Sequence, residues 1–321
     1  MSGLLPGTRR LEMTALTAGQ TSAKSGAAPS GQTFLRPYAS TSLWYQPIPA
    51  SPAIDANSAA IVAFVAANTN FPQVMINSFG VAVAQTNGSD PLRTISCNAI
   101  ACSNLVANNP VPIPLGTEAD PGSDGHLAVW HNGTHREYDF WIYGGSASPS
   151  TTGSGGTCLT DGHDGGINPG HGAVATSMPM LATLLRPEEL IAGLIQHSLA
   201  WVGNATAGVR TGFVFPAIGG DGNTSNADAP QEGSLFQLNP SYNVAASGLP
   251  SWEKTIATCL QTYGMYLVDK GGAAPAIYAE NAINRGGTDP WSVFPLFQGN
   301  LYFSGSFPWS QMRVLQPRLS W

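Results

Sequence analysis

Hydrophobic and polar residues alternate along most of this chain in short runs, and few stretches follow a helical period. Near-twofold alternation at 73–76, 80–85, 93–97, 111–114, 126–131 and 135–143 predicts strands. Asn132-Gly133, between the last two, predicts a hairpin with a two-residue turn. Further strands are predicted at 211–217, 234–239, 265–269 and 276–279. Three stretches read as helix. Residues 58–68, with Asp55 or Asn57 as cap, put Ile61, Phe64 and Val65 on one face. Pro187 opens a second helix running to Trp201, with Glu188 and Glu189 at its positive end and Leu190, Leu194, Ile195 and Leu199 inward. Ser251 caps a third that reaches Tyr263 and stops at Gly264.

Two long polar segments, 144–172 and 219–233, read as loops, and the length of the first points to a functional role. Residues 1–35 are rich in Ser, Thr, Ala and Gly without periodicity, which predicts an extended arm, disordered unless a partner orders it. From Phe34 onward, Tyr38, Trp44, Tyr45, Pro47, Pro49 and Pro52 mark an irregular segment whose aromatics would anchor it to the body. Many short strands with few helices predict a mainly β fold, a β-sandwich of jelly-roll type, formed by one domain over 36–321.

Composition narrows the partners of such a fold. Only 10% of the residues are charged, against about 25% in an average globular protein. The charges are also segregated. Residues 1–36 hold Arg9, Arg10, Lys24 and Arg36 against Glu12, and Arg313 and Arg318 lie near the other end. The body between keeps seven basic and eighteen acidic groups, a net of −11. Binding phosphate or polyuronate needs clustered Lys and Arg, so nucleic acid is excluded as a partner and polyanionic glycans are disfavoured. No stretch reaches the roughly 18 apolar residues of a membrane span, and the N-terminus lacks the apolar core of a signal peptide. Cys97 and Cys102 are spaced to close a small disulfide loop or to remain thiols, while Cys259 reads as a buried thiol.

The densest chemistry lies on the predicted hairpin. Strand alternation puts His126 and Trp130 on one face of its first strand, and Glu137, Asp139 and Trp141 on one face of the second. If the two faces coincide, a histidine, two carboxylates and two indoles line one concave surface. Carboxylates supply general acid and base for glycoside hydrolysis, indoles stack on sugar rings, and Asp124 adds a polar contact. The same pattern fits an ordinary hairpin with both indoles in the core. Glu137-Tyr-Asp139 is similar to part of the ExDxxE strand of laminarinase-type glycosidases, but Ile142 stands where the second Glu belongs, so those roles do not carry over. His197 reads as an assisting group or a core histidine, and Tyr266 as a ligand contact or packing. Asp161, His163, Asp164 and His171 form either a metal-binding cluster or a polar lid. No cofactor is expected; calcium is the one ion left open, at the oxygen-rich stretch from Asp221 to Asp228.

Several strings in order, among them Ser42-Leu-Trp44-Tyr-Gln-Pro47, Ser123-Asp-Gly-His126, Tyr138-Asp-Phe-Trp141, Gln196-His197-Ser-Leu-Ala, Gly212-Phe-Val-Phe-Pro216 and Tyr263-Gly-Met-Tyr-Leu-Val-Asp269, carry a resemblance. Together they resemble a poorly characterised family of secreted actinobacterial proteins, also found among actinobacteriophage tail proteins. The resemblance spans roughly 38–280 and implies an extracellular, glycan-directed β-sandwich with no catalytic assignment to transfer. The missing signal peptide fits a virion protein docked through residues 1–35. The expectation is an extracellular or phage tail-associated protein that binds a neutral cell-envelope polysaccharide. Hydrolysis would use Glu137 and Asp139 with His126 or His197, while Trp130, Trp141, Asp124 and Tyr266 contact sugar. The alternatives are a non-catalytic structural or adhesion protein of a virion, and a polysaccharide lyase.

Overall fold

A computed structural model describes residues 36–103, 106, 109–145, 150–163, 166–168, 170–204 and 212–318. The predicted arm, 1–35, and Asp164 lie outside the described residues. In chain order the elements begin with α1 (Ser58–Ala67), β1 (Gln73–Met75), β2 (Val81–Thr86), β3 (Leu92–Arg93), β4 (Ile95–Cys97) and β5 (Val111–Pro112). The hairpin strands β6 (Leu127–His131) and β7 (Arg136–Trp141) follow, then β8 (Ser150–Thr152), β9 (Ser154–Leu159), α2 (Pro187–Ala192), β10 (Leu199–Gly203) and β11 (Leu235–Leu238). The chain continues through α3 (Ser251–Thr262), β12 (Met265–Lys270), β13 (Ala276–Tyr278), β14 (Glu280–Asn281), β15 (Leu301–Tyr302) and β16 (Met312–Val314).

The fold is mainly β with few helices, built on a seven-stranded sheet (β15-β1-β13-β10-β12-β11-β16) and a five-stranded sheet (β14-β2-β6-β7-β9). Both are mixed: β1–β13 and β10–β12 run parallel in the first, β14–β2 and β2–β6 in the second. A jelly roll pairs its strands antiparallel, so the jelly-roll topology is not confirmed.

Burial of both faces explains why the larger sheet reads as nearly continuous apolar runs such as Met265–Val268. Side chains of period two alternate between its two cores. Val74, Leu199, Trp201, Phe236, Met265, Leu267 and Ile277 pack with α3, through Trp252, Ile256 and Leu260. Met75, Ala200, Val202, Tyr266, Val268, Ala276 and Tyr278 face the smaller sheet and meet its Val81, Val83, Ala128 and Cys158. Two stretches fill the space between the sheets: Tyr38, Trp44 and Tyr45, and residues 173–184. The far face of the smaller sheet has its own core around Ile95, Ile113, Leu127 and Phe140.

Three predicted elements need correction. The helix from Pro187 ends at Ala192 rather than Trp201, because Gly193 adopts a left-handed φ of 69° and its N–H closes back on Glu189 and Leu190. Residues 199–203 are then a strand, so His197 sits on a connector and not on a helix. The predicted loop 144–172 contains β8 and β9, and β9 pairs with β7 along its whole length. Its glycines are needed for packing: a Cβ on Gly155 would come within 2.9 Å of the Phe140 ring, and one on Gly156 within 2.7 Å of Asn168. The 211–217 strand is absent from the described residues, which show a single bridge between Phe213 and Glu232. The Cys97–Cys102 disulfide is formed and Cys158 and Cys259 are buried thiols. No helix among the described residues is long and apolar enough to cross a membrane.

Candidate functional site

The hairpin forms as expected, though with a longer turn, a 3₁₀ segment at Asn132–Thr134 followed by His135 in the left-handed region. Its register pairs Ala128 with Asp139 and Trp130 with Glu137, so the candidate residues do share one face. That face looks into the space between the sheets rather than onto an open groove. Glu137 and Asp139 are 0% exposed, while Trp130 and Trp141 lie half-buried at the edge of the same core.

Each carboxylate oxygen of the pair is met by a donor from inside the protein. Tyr38 donates its hydroxyl to Glu137 Oε2 at 2.6 Å, and Leu181 its backbone N–H to Oε1 at 3.0 Å. Gly156 N–H donates to Asp139 Oδ1 at 3.0 Å and Asn168 Nδ2 to Oδ2 at 2.7 Å. The Tyr38 hydroxyl also lies 3.1 Å from Cys158 Sγ. Burial, with the Asp139 charge added, pushes Glu137 up to about 8. Burial pushes Asp139 up to about 7 against its hydrogen bonds.

The other predicted residues are dispersed. His126 is 1% exposed and packs edge-on against Tyr278, with ring centroids 5.5 Å apart. Burial pushes its pKa down, against the Asp124 charge and the backbone at Ala173 and Gly80. Asp124 accepts a long hydrogen bond from Trp141 Nε1, 3.4 Å. His197 belongs to a different cluster, with Nδ1 2.8 Å from the Ser198 carbonyl and Nε2 2.8 Å from Glu189 Oε1. Arg186, 2% exposed, closes this cluster at 3.5 Å from Glu189. Burial raises Glu189, but the His197 and Arg186 charges outweigh it and hold its pKa at about 2. Tyr266 lies on β12 with its ring edge-on to Trp44, centroids 5.5 Å apart.

What joins these places is the segment from Tyr38 to Tyr45. Tyr38 touches Glu137, Trp44 touches Tyr266, and Tyr45 lies 5.8 Å from the His197 ring. Tyr38 and Tyr45 themselves meet edge-on at 6.3 Å. The aromatic spacing predicted an anchoring segment; its direct contact with the acid pair had no sequence signal. Asn168 and Arg186 were not singled out in the sequence, Glu189 was read only as an acid at a helix start, and Tyr38 only as an anchor. Among the described residues, no three His, Cys, Asp or Glu side chains converge to hold a metal. Asp161 and His163 pair at 2.8 Å, and Asp221 pairs with Lys270 at 3.5 Å. No protein-family model, curated protein or solved structure matches the chain.

Proposed function

We propose that this protein is a non-catalytic adhesion or structural module of an extracellular or virion assembly, which holds a neutral cell-envelope polysaccharide without cleaving it. The observation that supports this over hydrolysis is the state of Glu137 and Asp139. Acid–base catalysis on a glycosidic bond requires both carboxyl groups to flank the substrate. Here both are fully buried, and all four oxygens are engaged by Tyr38, Leu181, Gly156 and Asn168. The location is supported by the Cys97–Cys102 disulfide, since such bridges persist in oxidising compartments. The ligand class rests on the low charge and acidic body, which disfavour polyanions.

Incubating the protein with an insoluble neutral arabinogalactan, then measuring sedimentation and reducing ends together, tests this reading. Expected is co-sedimentation without release of reducing ends. Release by the wild type that disappears in a folded Glu137→Gln variant would overturn it in favour of a hydrolase.

A further inference from the structure

The geometry points to a cleft at Tyr266, Phe215 and Arg318 as the seat of a single neutral sugar ring. This rests on the proposed polysaccharide-binding function and gives it a site away from the hairpin. Three irregular segments meet there: Pro49 and Pro52 from the first, the Phe215-Pro216 turn from the second, and the residues leading to Arg318 from the third. They enclose about 230 Å³. Drug-sized ligands occupy pockets from about 300 Å³ upward, so this cleft suits one ring rather than an extended oligosaccharide.

Its walls and its polar groups call for an amphipathic occupant. The prolines and the Phe215 ring offer flat C–H and aromatic faces, on which the apolar face of a sugar packs. Tyr266, only 3% exposed, lines the floor. Burial pushes its hydroxyl up to about 12, and the nearby Arg318 charge opposes the rise. Sugar hydroxyls can exchange hydrogen bonds with the Tyr266 hydroxyl and accept from the Arg318 guanidinium, which line the same cleft. Among the described residues that line the cleft, Arg318 is the one cation and none is a carboxylate. A single guanidinium on a body of net −11 is a poor match for a uronate chain. The floor is closely built, since a Cβ on Gly233 would fall 1.9 Å from the Val214 carbonyl oxygen.

Calorimetric titration with soluble neutral arabinogalactan tests the site, with a uronate polymer run in parallel. Tyr266→Phe and Arg318→Gln should each weaken wild-type binding about tenfold, the loss of one ligand hydrogen bond, with unchanged thermal unfolding. Unchanged binding by both variants would overturn the site and leave polysaccharide binding standing. A wild type that binds no neutral polysaccharide would overturn the proposed function and this inference with it. Tighter binding of the uronate polymer would overturn the assignment of a neutral sugar.

Discussion

The Glu137–Asp139 pair and the Glu189–His197 cluster pack against the same Tyr38–Tyr45 segment, and both are largely removed from water. Their carboxylates nonetheless move in opposite directions. Glu137 and Asp139 receive four neutral donors, and burial drives them up to about 8 and about 7. Glu189, 15% exposed, faces His197 and Arg186, and those charges hold it at about 2. Neutral hydrogen bonds lower a carboxyl pKa by less than full burial raises it, whereas two neighbouring cations reverse the balance. A buried acid therefore signals function only when its surroundings and access are known, and here the difference lies in Arg186 and His197.

The largest expected effect comes from making the same substitution at both sites. Glu189→Gln removes the nearest counter-charge of the buried Arg186 and its partner His197, leaving Glu280 as the remaining acid acting on the guanidinium, and breaking such a cluster costs about 3–5 kcal/mol. Glu137→Gln removes a group that resists ionising. Its amide oxygen can accept from Leu181 N–H, and its NH₂ can donate to the Tyr38 hydroxyl, which then turns toward Cys158. Its cost at pH 7 should stay under about 1 kcal/mol. Urea unfolding midpoints of the two variants measure this. Equal losses would erase the contrast.

The two sites respond to pH at opposite ends of the scale. Glu137 is raised from 4.5 and Asp139 from 3.8, so the folded state holds protons that the unfolded chain has released. That stabilisation is fully present below the ordinary carboxylate values and is lost as pH rises through about 7 to 8. Asp269, pushed up to about 8 mainly by burial, adds to the same alkaline loss. Glu189 does the reverse: its contribution is present above 4.5 and disappears as pH falls toward about 2. Between pH 5 and pH 9 the wild type should lose stability as these groups ionise, and Glu137→Gln clearly less. Urea midpoints across that range report it. A wild type that grows more stable up to pH 9 would contradict the unpaired state of the acids.

The same comparison shows what the chain reveals about itself. Strands β1, β2, β6, β7, β11, β12 and β13 were legible because one or both of their faces are apolar. Strand β9 was not, since Ser154-Gly-Gly-Thr-Cys gains its place from cross-strand neighbours that need glycine, and no periodicity encodes that. The early end of α2 was written in Gly193, which lies inside an otherwise continuous pattern of leucine and isoleucine. For the acid pair, alternation placed Glu137 and Asp139 on one face correctly. Whether that face is open or covered depends on Tyr38 and Asn168, 99 and 29 residues away from their partners. Long-range contacts of that kind leave no local mark.

The smallest expected effect isolates the contact through which the Tyr38–Tyr45 segment touches the acid pair. Tyr38→Phe removes the hydroxyl that donates to Glu137 Oε2 and leaves the ring in place. At pH 9 the lost bond is to an ionised carboxylate, and its absence should cost about 1.5–3 kcal/mol. At pH 5 the carboxyl is neutral and the cost should fall to about 0.5–1.5 kcal/mol. In the Glu137→Gln background this pH dependence should vanish, which a double-mutant cycle at the two pH values measures directly. A Tyr38→Phe penalty that is the same at pH 5 and pH 9 would mean that Glu137 does not change its charge over that range. The pair would then be as fixed in its ionisation as Glu189, and the difference between the two sites would lie in hydrogen bonding alone.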